Sequence, residues 1–121
     1  MRRELHVDIE LLEAPIAVLR IRGAVDSENA VEIQKALDST LDRGHDHLAL
    51  ELSGLDFMST AGWGALVGTL RRVRTRRGCI HLSGLTRDVA DVYGLLEFDQ
   101  LMPCHPDLDE ALAAIRAGAT L

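Results

Sequence analysis

The chain has 121 residues, 47% of them hydrophobic and 26% charged, with a formal net charge of −6. That length supports one domain and leaves nothing for a second core. The acidic balance argues against general nucleic-acid binding, which draws on a surplus of Lys and Arg.

No stretch approaches the roughly 18 uninterrupted apolar residues of a membrane-spanning helix. The basic N-terminus is not followed by the apolar run of a signal peptide. Cys79 and Cys104 form no spaced pattern, which suits a reducing interior. A cytoplasmic domain without membrane insertion is expected.

Leu5, Val7 and Ile9 alternate with His6, Asp8 and Glu10, the period-two pattern of a half-buried strand. Beyond Pro15, the run from Ile16 to Ile21 predicts a second strand, near enough to the first to pair antiparallel, and Gly23 ends it. Asp26 or Ser27 is placed to cap a helix whose apolar stripe is Ala30, Ile33, Leu37 and Leu41, with Gly44 as its stop. A third strand covers Leu48 to Leu52, with Leu48, Leu50 and Leu52 on one face.

A turn at Ser53-Gly54 leads through Leu55-Asp56-Phe57-Met58 to Ser59-Thr60. A second helix is expected from Ala61 to about Arg76, burying Leu66, Leu70 and Val73 and closing at Gly78. Cys79 to Ser83 is the fourth strand. A short helix after Thr86 carries Val89, Val92 and Tyr93 and stops at Gly94, with Phe98 and Leu101-Met102 packing beyond it. Pro106-Asp107 open a last helix striped by Leu108, Ala111, Leu112 and Ile115.

The order β-β-α-β-α-β-α-α predicts a single α/β domain over residues 1–121, with its core at 5–116. Its sheet is mixed and mostly parallel, of about four strands with about four helices.

Several groupings invite a catalytic or metal reading, and core or surface filling accounts for each. His45 and His47 flank Asp46 but lack a second ligand pair at zinc spacing. Cys79 and His81 share a strand face without a third, orienting group, and Cys104-His105 are adjacent. Gly62, Gly64 and Gly68 open a helix, yet Val67 stands where a dinucleotide fingerprint has glycine, and no acidic residue ends the next strand. The chain is therefore not expected to be an enzyme, to bind a metal or to need a cofactor.

Five arginines lie between Arg71 and Arg77. They complement the negative end of the second helix dipole, and their surplus could meet an acidic partner. At the other end of that helix, a Ser59 or Thr60 hydroxyl can serve as a cap. The same geometry favours a phosphoryl group, which would add about −1.5 to −2 charges at the helix start.

The run Leu50-Glu51-Leu52-Ser53-Gly54-Leu55-Asp56-Phe57-Met58-Ser59-Thr60-Ala61-Gly62-Trp63-Gly64 resembles the signature of STAS domains, the family of bacterial anti-sigma factor antagonists. Arg22-Gly23-Ala24-Val25-Asp26 is similar to the Gly-x-x-Asp approach to that family's first helix. The resemblance implies partner switching: an anti-sigma factor with serine/threonine kinase activity phosphorylates the antagonist, and a phosphatase resets it. By register the phosphoacceptor falls on Thr60, with Ser59 as the alternative hydroxyl. Asp26, Ser59, Thr60, Ala61, Gly62 and Trp63 are then the expected partner surface.

Ser59 stands where the family usually has Asp. That departure keeps open a second reading, an unphosphorylated STAS subunit of an ABC-type lipid-transport complex or a signalling scaffold. A monomer is expected, although the apolar edge near Leu5, Val7 and Ile9 could support a dimer.

Overall fold

The computed structural model describes residues 4–118. Strands β1 (Leu5–Leu11) and β2 (Ile16–Val25) form the expected antiparallel hairpin, with Val7 opposite Ile21 and Ile9 opposite Leu19. Leu5 and Val7 pack toward the core. Their alternating neighbours face water, where Arg20 meets Glu10 at 2.8 Å and Arg22 meets Asp8 at 3.2 Å.

Helix α1 (Ala30–Asp42) follows, then β3 (His47–Glu51), β4 (Leu55–Met58), α2 (Thr60–Arg74) and β5 (Cys79–Ser83). Helix α3 (Arg87–Leu95), a single 3-10 turn (Phe98–Gln100), β6 (Cys104–His105) and α4 (Leu108–Arg116) complete the described chain.

One sheet runs β1-β2-β3-β5-β6, and every pairing beyond the first hairpin is parallel. The sheet separates two apolar layers. On one side Ala17, Leu19, Ile21, Leu48, Leu50 and Leu82 pack with Ile33 and Leu37 of α1, Leu66 and Leu70 of α2, and Val89 and Tyr93 of α3. On the other, Ile16, Val18, Ala49 and Cys79 pack under Leu112 and Ile115 of α4. The stripes expected on the helices are therefore the buried ones, apart from Val92 and Leu108, which are half-buried.

The sheet has six strands among the described residues where about four were expected. β2 is ten residues long and pairs with β3 only over Ile16–Arg20. Its remaining length leaves an open edge, and β4 fills it through Ala24–Phe57 and Val25–Met58. The burial of Leu55-Asp56-Phe57-Met58 does not alternate, so periodicity carries no sign of this strand. β6 has two residues and is too short for any periodic signal.

Gly23 does not end β2 but sits inside it at φ 101°, where a Cβ would fall 2.3 Å from the Glu4 carbonyl oxygen. The register shifts there, between Gly23 and Ala24. Asn29 takes the N-cap position of α1 without a side-chain cap hydrogen bond, because β2 continues to Val25 and a turn intervenes, while the Asp26 carboxylate accepts the amides of Glu28 and Asn29 just ahead of the helix. α2 begins one residue early, at Thr60. α3 runs through Gly94, and the chain turns instead at Glu97 with φ 56°.

Candidate functional site

Val25 and Met58 are register partners at the ends of two parallel strands, so Asp26 and Ser59 leave the sheet side by side. The Ser59 amide donates to the Val25 carbonyl at 2.8 Å and ties the two chain segments together. The Asp26 carboxylate accepts from the amides of Glu28 (2.9 Å) and Asn29 (2.8 Å). The Asn29 side chain replies, accepting from the Asp26 amide at 2.8 Å and donating to the Ala24 carbonyl at 3.0 Å. Asp26 thus fixes the turn beside the start of α2.

Ser59 is extended, with φ −72° and ψ 167°, and its hydroxyl accepts the Gly62 amide at 3.3 Å. That is an N-cap. Thr60 is the first residue of α2 and is exposed, and its hydroxyl makes no hydrogen bond among the described residues. The first turn of α2 holds no acidic residue, and its last turn holds Arg71, Arg72 and Arg74. The amides of Thr60 and Ala61 precede the first intrahelical acceptors. A negative group on Thr60 would therefore meet open N–H donors and the positive helix end, with no carboxylate of that turn against it.

Beside Thr60 lies an apolar groove of about 440 Å³ between α2, α3 and the end of β4. It is lined by Phe57, Met58, Ser59, Thr60, Trp63, Gly64, Val67, Val92, Leu96 and Phe98. Phe57 is 41% exposed and Leu96 51%, which is unusual for side chains of this size. Trp63 is buried at 3% exposure, with its ring centroid 5.0 Å from Phe98 and 6.4 Å from Tyr93. Its Nε1 has no hydrogen-bond partner among the described residues.

The expected partner residues therefore divide. Asp26, Ser59, Thr60 and Ala61 lie at the accessible start of α2. Gly62 and Trp63 are buried, so Trp63 serves the surface as the floor of the groove. Gly62 lets the helix approach the sheet, since a Cβ there would fall 2.4 Å from Met58 Sδ and 2.8 Å from Val25 Cγ1. Val67, Val92, Leu96 and Phe98 enter the site only through folding. Their apolar character was visible, but nothing local assigns them to a groove.

The remaining groupings are structural. His45 bridges the Arg43 and Leu12 carbonyls at 3.1 and 3.3 Å, and His47 meets Asp46 at 2.8 Å. His81 and His105 stack with centroids 5.1 Å apart and share a hydrogen bond of 2.9 Å. Burial, and then the charge of Asp46, pushes the Cys79 thiol up to about 11. No cluster of three or more His, Cys, Asp or Glu among the described residues could hold a metal. None of the described helices is long and apolar enough to cross a membrane. At the far end of α2, Arg72 pairs with Asp38, and Arg74 and Arg76 donate to the Leu101 (3.4 Å) and Leu41 (3.3 Å) carbonyls.

The sequence profile of the STAS domain matches residues 8–111. Over 101 residues the chain is 29% identical to the anti-sigma-F factor antagonist RsfA of Mycobacterium tuberculosis, covering 80% of this chain and 77% of that protein. The crystal structure of an anti-sigma factor antagonist from Mycobacterium paratuberculosis superposes with a TM-score of 0.84 at 21% identity, covering 93% of this chain and 95% of that one. The Bacillus cell fate determinant SpoIIAA, solved in its phosphorylated form, superposes at 0.73 and 18% identity, covering 92% of this chain and all of that one. The profile spans both signature stretches, and the chain belongs to the STAS domain family.

Proposed function

We propose that this protein is an anti-sigma factor antagonist in a phosphorylation-controlled partner switch, with Thr60 as the phosphoacceptor. The observation that carries the reading is the division of labour at the start of α2. Ser59 supplies the cap, and Thr60 presents an exposed hydroxyl at the positive helix end. Family membership supports the role, as do relatives that bear the antagonist name. A related fold also exists in a phosphorylated form.

In the switch, a kinase-type anti-sigma factor transfers the terminal phosphoryl group of ATP to the Thr60 hydroxyl, releasing ADP and a proton. The unmodified protein binds the anti-sigma factor and frees the sigma factor. The phosphorylated form, with about −1.5 to −2 added charges at the docking face, releases it, and a phosphatase restores the hydroxyl. In this reading the protein itself turns nothing over, which is in keeping with a Cys79 that is buried and held as a thiol and a His81 engaged with His105. The switch operates in the cytoplasm, where ATP and the transcription machinery are.

Incubation with the cognate kinase and ATP, followed by peptide mapping, is expected to place one phosphate on Thr60 and none on the Thr60→Ala variant. Phosphate on Ser59 would keep the switch and move its acceptor. An unmodified wild type beside a kinase proven active on another substrate would overturn the reading. Co-purification with a transport ATPase would then favour the scaffold role.

A further inference from the structure

Gly64 and Gly68 stand one turn apart in the middle of α2, and both are exposed. A Cβ built on either meets nothing within 4 Å, and neither has a positive φ. Glycine inside a helix destabilises it relative to alanine through backbone entropy. Among the described residues no atom comes close enough to either position to exclude a side chain.

The geometry points to this strip as the seat of a helix from the anti-sigma factor. That helix lies over Gly64 and Gly68, places an apolar side chain in the adjoining groove, and sets an acidic side chain against Arg71. The inference rests on the proposed function and specifies how its partner binds.

Three further observations select this occupant. The groove beside the glycines is apolar and leaves Phe57 and Leu96 about half in water, which suits an inserted apolar anchor. Its floor residue Trp63 is buried and its ring packs 5.0 Å from that of Phe98, a firm apolar base for such an anchor. Finally, α2 contains no acidic residue at all. Arg71 lies one turn beyond Val67 and Gly68 on the same face and forms no ion pair among the described residues, whereas Arg72 is bound to Asp38.

A strand is a poorer occupant, because α2 offers no open backbone edge to pair with. A helix fits, since a strip without side chains lets two axes come closer than the usual separation of about 8–10 Å. The α2 of a second copy cannot supply the acidic group that Arg71 calls for.

The test uses the unphosphorylated protein and its cognate anti-sigma factor as the probe, with affinity measured by calorimetry and folding by thermal melting. The Gly64→Ala/Gly68→Ala double variant is expected to melt higher than the wild type yet bind at least about tenfold more weakly. Arg71→Glu should weaken binding about tenfold as well, with a smaller dependence on salt. Thr60 phosphorylation is followed in parallel on every variant. A double variant that stays folded and binds with wild-type affinity overturns the helix seat, and leaves the switch standing if Thr60 is still modified. A wild type that binds no anti-sigma factor overturns both. Self-association of the wild type that the double variant abolishes would assign the strip to a second copy and overturn the inference.

Discussion

Ser59 Oγ accepts the Gly62 amide at 3.3 Å, and this bond relieves Thr60 of capping α2. The two adjacent hydroxyls therefore differ in what they hold. Ser59→Ala is expected to reduce unfolding free energy by about 1 kcal/mol, the usual value of a lost N-cap. Thr60→Ala should change it by less than about 0.5 kcal/mol, as surface substitutions generally do. Ser59→Asp should keep the cap, because a carboxylate accepts the same N–H and complements the helix dipole. Urea unfolding of the three variants decides it. Equal losses for Ser59→Ala and Thr60→Ala would contradict the assignment.

The glycines of α2 predict opposite signs within one helix. Gly62→Ala brings a methyl group against Met58 Sδ and Val25 Cγ1, and it should destabilise by about 1–3 kcal/mol through overpacking. Gly64→Ala and Gly68→Ala meet open space, and each should stabilise by up to about 1 kcal/mol. Thermal melting would show the first variant below the wild type and the other two above it. A stabilised Gly62→Ala would mean that the helix does not lie as close to β4 as described.

Tyr93 predicts a loss of stability in alkali. Burial, with smaller effects from Cys104 and Asp99, pushes its phenol up to about 12, and its hydroxyl donates to the Met102 carbonyl at 2.5 Å. The unfolded phenol ionises near 10, so between about 10 and 12 the unfolded state binds fewer protons and stability falls as pH rises. The contribution is whole below the unfolded value and gone above the folded one. Tyr93→Phe should lose about 1 kcal/mol at neutral pH and then fall less steeply over that alkaline window. Parallel curves for the two proteins would refute a role for this hydroxyl.

The two thiols should separate kinetically. Cys79 is buried in β5 and its thiol is pushed up to about 11, whereas Cys104 is exposed in β6 and its thiol is raised mainly by partial burial. A thiol reagent at neutral pH is expected to modify Cys104 in the native protein, and Cys79 only as the protein unfolds. Mass spectrometry during the reaction would follow this. Native modification of both at similar rates would show that α4 does not keep its side of the sheet closed.

Much of the architecture is legible locally. A helix repeats its buried positions every three or four residues, and that rhythm was complete at Ala30, Ile33, Leu37 and Leu41 and at Leu66, Leu70 and Val73. The hairpin followed from alternation at Leu5 to Ile9 beside an apolar run. The lone motif around Ser59 and Thr60 was also local, since capping depends on residues within one turn.

What the sequence by itself determined, then, was the order of four strands and four helices, the core faces of those helices, and a pair of hydroxyls at a helix start. Tertiary structure decided which of those hydroxyls the backbone uses, because the extended Ser59 is held by Val25, a residue 34 positions earlier. It created β4, which pairs with the half of β2 that β3 leaves open. It also turned Trp63 inward against Phe98 and closed a groove from residues on four elements, leaving Gly64 and Gly68 bare beside it. Edge pairing and cavity walls are made by chain segments far apart in sequence, and no local period records which segments will meet.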